Sequence, residues 1–170
     1  MKNSVVLSLN RETITTLLVD IMAVIVILFA PAVAHLMSFP VFFVEPMRIM
    51  LVLALVHTNK KNAYAMAVAL PIFSFMFSAH PVFLKALLMS AELALNVYLF
   101  YELSKHFKNV FTSVFFSIVL SKLGYYAVKI GLLQFALINS PLVSIPIWIQ
   151  LLTASVFALY AMLILKPNKQ

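Results

Sequence analysis

The sequence predicts an all-α, polytopic integral membrane protein: six transmembrane helices in a single domain over residues 1–170, with both termini cytoplasmic. Three observations carry this. Of the 170 residues, 64% are hydrophobic and 10% charged, where a soluble domain carries about 25% charged. The mean hydropathy is +1.07. The apolar residues fall into runs near the ~20 residues that a spanning helix needs, and the basic residues gather at alternate turns.

The first span is residues 13–36, behind a polar head with Lys2 and Arg11. The second, 39–57, ends at Asn59-Lys60-Lys61-Asn62, and the third, 63–77, is short and stops at Ser78-Ala79-His80-Pro81. The fourth, 82–103, gives way to Ser104-Lys105-His106-Phe107-Lys108, and the fifth is 110–133. Residues 134–146 hold Asn139-Ser140-Pro141 and Pro146, and read as a loop or a re-entrant segment. The sixth, 147–165, runs into Lys166-Pro167-Asn168-Lys169.

With the N-terminus in the cytoplasm, Lys2, Arg11, Lys60, Lys61, Lys105, Lys108, Lys166 and Lys169 all lie inside. The outer turns at 37–38, 78–81 and 134–146 carry no lysine or arginine, as the positive-inside rule requires. The net charge of +7 follows from this topology and points to no nucleic acid. Ala32-Val33-Ala34 resembles a signal-peptidase site. The Asp20 inside the preceding run and its near-spanning length favour an intact first helix. The localisation expected is the cytoplasmic (inner) membrane, crossed several times.

Seven ionisable residues lie inside these spans: Asp20, Glu45, Arg48, Lys85, Glu92, Lys122 and Lys129. Each costs about 2.5 kcal/mol or more unless it has a partner or meets water, so each marks a polar interior. Lys85, Met89, Glu92 and Asn96 form a stripe down one face of the fourth span. Ser117, Ser121, Tyr125 and Lys129 do so on the fifth, with Lys122 beside them. The stripes are deepest on the outer side and describe a cavity opening outward. The expected pairs are Glu45 with Arg48, Glu92 with Lys85, and Asp20 with Lys122 as a structural ion pair. Lys129 is left over, either to hold an anion such as a carboxylate or to snorkel to the headgroups. The candidate substrate-binding residues are therefore Glu45, Arg48, His80, Lys85, Glu92, Asn96, Tyr125 and Lys129.

No familiar catalytic motif is present. There is no cysteine, no Gly-x-Ser-x-Gly among the two glycines, and no phosphate-cradling loop. His35, His57, His80 and His106 lack metal-ligand spacing, so no metal or cofactor is expected. Alanines at 63, 65, 67 and 69, and the Ala30-xxx-Ala34 pair, suit close helix packing.

The passage Pro71…His80-Pro81…Lys85-Ala86-Leu87-Leu88…Glu92, set in six spans with both ends inside, resembles the substrate-binding S component of an energy-coupling-factor (ECF) vitamin transporter. The resemblance implies capture of a vitamin or its precursor near the outer face, using the outer loops and helices four to six. It also implies a membrane coupling subunit and two cytoplasmic ATPases as partners, with no enzymatic activity in this chain. Two other classes stay open: a scaffold of cell-envelope machinery similar to MreD-type rod-shape proteins, and an intramembrane enzyme acting on lipid.

Overall fold

A computed structural model describes residues 10–37, 41–78, 81–138 and 141–165. These form six α-helices and one short 3-10 turn, with no strand among them. The helices are α1 (Arg11–Met37), α2 (Pro46–His57), α3 (Lys60–Ser78), α4 (Phe83–His106), α5 (Val110–Gln134) and α6 (Ile147–Ile164). The 3-10 turn, Val41–Val44, precedes α2.

Four helices are long and apolar enough to cross a membrane: α1, α4, α5 and α6. The α3 helix has 19 residues but opens on Lys60-Lys61-Asn62, which lowers its apolar content. The continuous second span expected over 39–57 is broken instead. Its helical part has 12 residues, about 18 Å of rise against a hydrocarbon core of about 30 Å. Glu45 stands at the break with φ 51° and ψ 64°, in the left-handed region. Such backbone at membrane depth is tolerated where protein or a polar cavity surrounds it.

Three helix starts have a local cause. The side chains of Asn59 and Asn109 accept from the backbone N–H of Asn62 and Phe111, each at 2.9 Å, capping α3 and α5. Pro46 opens α2, where its missing N–H costs nothing. The α5 helix ends in a paired 6→1 and 5→2 closure, Leu137 N–H to Leu132 O and Ala136 N–H to Leu133 O, both at 3.0 Å.

Around the bundle, α4 packs between α3 and α5, α5 packs on α6, and α1 leans on α2 and α3. Short α2 closes the ring by touching α1, α3, α4 and α6. Ala63 and Ala67 are fully buried, which lets α3 approach its neighbours closely. Gly124 does the same between α4 and α5, since a Cβ there would meet Leu95 Cδ2 at 3.1 Å. Leu17, Leu18, Ile25 and Phe29 on α1 turn outward, as suits a helix against acyl chains.

Candidate functional site

One end of the bundle encloses a cavity of about 390 Å³. Its walls come from the C-terminal parts of α1 and α3, the 3-10 turn, the first turn of α2, and the N-terminal half of α4. The C-terminal half of α5, the start of α6 and residues 142–145 complete it. This is the end away from the lysine-bearing turns at 60–61 and 105–108. Ile27, Phe42, Phe43, Met47, Met89 and Leu93 make much of the lining apolar.

The polar part of the wall is an alternating chain of charges. Lys122 Nζ donates to Glu45 Oε1 at 2.6 Å, and Glu45 Oε2 lies 2.7 Å from Arg48 Nε. Arg48 Nη2 in turn donates to Glu92 Oε1. The Arg48 side chain is only 3% exposed and Glu92 9%. Two of these charges come from around the break in α2, one from α4 and one from α5. The left-handed conformation of Glu45 costs about 1–3 kcal/mol in a non-glycine residue and persists where surrounding structure holds it. Its carboxylate lies between two cations, and its carbonyl accepts from Arg48 and Ile49 N–H at 2.9 and 3.1 Å.

Two further cations reach the cavity. Lys129 is 1% exposed, with Nζ donating to the carbonyls of Pro141 at 2.8 Å and Leu142 at 3.1 Å. It also lies over the Tyr125 ring, 5.5 Å from the centroid. Lys85 lines the wall from α4, half-buried, and makes no hydrogen bond or ion pair with a described residue. Arg48 Nη1 is buried without a hydrogen-bond partner among the described residues. The described lining therefore holds four cations against two carboxylates.

Of the residues expected to bind substrate, the cavity gathers Glu45, Arg48, Lys85, Glu92, Tyr125 and Lys129. His80 lies outside the described residues. Asn96 is not on the wall. It is fully buried lower in the α4–α5 seam, donating to Ser117 Oγ at 3.3 Å. Ser117 and Ser121 sit in the same seam and donate back to the carbonyls of Val114 and Ile118, so they act as small packing residues.

Two expected pairings are corrected. Asp20 does not meet Lys122; it accepts from Asn62 Nδ2 at 2.8 Å, tying α1 to the start of α3. The cause is that α1 leans on α2 and α3 and not on α5. Glu92 does not pair with Lys85 two turns away, because Arg48 from α2 projects straight at it. The pairing of Glu45 with Arg48, three residues apart, does form.

Residues that sequence reasoning left out also line the cavity, namely Ser74, Tyr126, Ser144 and Gln150. Gln150 Nε2 donates to the Ile145 carbonyl at 2.5 Å, and its side chain bonds with the Tyr126 hydroxyl. Gln150 is the only amide within the sixth span, and that isolation was a readable signal. The segment 134–146, open between loop and re-entrant readings, is non-helical after Gln134 among its described residues, and Leu142, Ser144 and Ile145 pack over the cavity.

Among the described residues, no three His, Cys, Asp or Glu side chains converge for a metal. Comparison with protein-family models, curated proteins and solved structures gives no match.

Proposed function

We propose that this chain is a multi-pass membrane binding protein that captures a small anionic solute and does no chemistry on it. The observation that carries the reading is the composition of the described cavity lining: four cations against two carboxylates, inside a bundle whose outer faces suit lipid. Charges at that depth are expensive unless used, and a positive concave site concentrates anions. The volume lies at the small end of ligand pockets, roughly 300–1,000 Å³, and the apolar walls suit a solute with a hydrocarbon or ring body.

In this reading the chain crosses the cytoplasmic membrane six times with both termini inside. The short α2, extended by the 3-10 turn, and α3 supply the two crossings that are less apolar. Lys60, Lys61, Lys105 and Lys108 then face the cytoplasm, and the cavity opens outward. A broken helix at the site is how many transporters present binding groups at depth. An importer of the S-component type accommodates these features, with a membrane coupling subunit and cytoplasmic ATPases supplying the energy.

The deciding experiment is native mass spectrometry of gently purified protein, read for a co-purifying small anion and for ATPase partners. A bound anion lost in Arg48→Met protein that keeps the wild-type far-ultraviolet circular dichroism supports the reading. Protein with no bound small molecule, whose cellular role survives loss of both Lys85 and Arg48, moves the assignment to a scaffold. Turnover of purified lipid by the chain alone moves it to an enzyme.

A further inference from the structure

The alternating chain Lys122–Glu45–Arg48–Glu92 is neutral as a unit, with each carboxylate bonded to at least one cation. The surplus charge of the cavity therefore resides on Lys85 and Lys129. They reach the same space from adjacent helices, α4 and α5, and neither has a carboxylate partner among the described residues. Lys129 is held in place by two loop carbonyls, which satisfy donors without cancelling the charge. A buried ammonium with no counter-ion is costly, and a ligand anion supplies one.

We propose that Lys85 and Lys129 form a subsite for a dianionic group, a phosphate monoester or a dicarboxylate, on a solute whose apolar body lies against Phe43, Met47, Met89 and Leu93. The inference rests on the anion-binding reading above and adds the charge of the ligand and the two residues that take it. Arg48, held by two carboxylates, frames the site. A free phosphate ester and a phosphate-headed lipid share this chemistry.

The test is calorimetric titration of the full chain in detergent at pH 8 with phenyl phosphate, benzoate and benzyl alcohol, which carry two, one and no charges on a similar ring. The expected order of affinity is phenyl phosphate, then benzoate, then benzyl alcohol. Lys85→Gln is expected to lower phenyl phosphate affinity about tenfold to a hundredfold, the loss of one charge-assisted bond. That brings it near benzoate, which Lys129 still holds. Lys85 bonds no other described residue, so this variant is expected to fold; Lys105→Gln, at the far end of α4, is the control and keeps the wild-type order.

Equal affinity for phenyl phosphate and benzoate, or a dianion preference that survives in Lys85→Gln, overturns the subsite while leaving anion binding in place. Binding of none of the three probes overturns both readings. Displacement of phenyl phosphate by phosphatidic acid in mixed micelles supports the subsite and assigns it to a lipid headgroup, against the solute reading.

Discussion

Arg48 is the residue whose removal is expected to disturb the fold most, and the structure says how much of that loss is recoverable. Its guanidinium joins Glu45 and Glu92, and its side chain is 3% exposed. In Arg48→Met, Glu45 keeps Lys122 at 2.6 Å, but Glu92 loses its only ion-pair partner among the described residues. Breaking a buried pair on one side costs about 3–5 kcal/mol, because the remaining charge is left uncompensated. Replacing both members by apolar side chains is often close to neutral. The double variant Arg48→Met/Glu92→Met is therefore expected to be more stable than Arg48→Met alone. The interaction energy should be about 2–3 kcal/mol, the upper part of the range for residues in contact. Equilibrium unfolding in mixed dodecyl maltoside and sodium dodecyl sulfate micelles, followed by far-ultraviolet circular dichroism, completes the double-mutant cycle. Additive losses, with the double variant less stable than either single one, would refute the coupled network and with it the neutral frame of the cavity.

Lys122→Met should couple energetically to Glu45→Gln and be additive with Asp20→Asn in the same unfolding assay, since Lys122 bonds Glu45 while Asp20 bonds Asn62. Coupling to Asp20 would contradict the observed pairing. Ala136 holds φ 52° at the end of α5, where an L side chain costs about 1–2 kcal/mol. Ala136→Gly is expected to recover about 1 kcal/mol, and a loss of stability would count against the left-handed closure. In intact cells, cysteines at Lys61 and Asn109 should resist a membrane-impermeant maleimide while one at Val143 is labelled. Labelling at Lys61 would reverse the orientation proposed from the positive turns.

Helix existence and the approximate ends of most elements were legible in the sequence because both are local. Long apolar runs and the polar or proline-bearing turns between them act within a few residues of themselves. Of the stripe Lys85, Met89, Glu92 and Asn96, the first three reach the cavity and were legible for the same reason, since 3.6-residue periodicity determines which side chains share a face. The pairing of charges across helices was not. Depth alone made Lys122 and Asp20 look like partners, and only the packing of α1 on α2 and α3 separates them. Pro46 marks a loosened helix at this point, but nothing in the letters Val44-Glu45-Pro46 announces a left-handed residue at Glu45. It is held there by Lys122 and Arg48, one from another helix and one a turn further along. Periodicity determined which residues face inward; the angle and order of helix packing decided which of them meet, and so left two cations of the cavity without a carboxylate among the described residues.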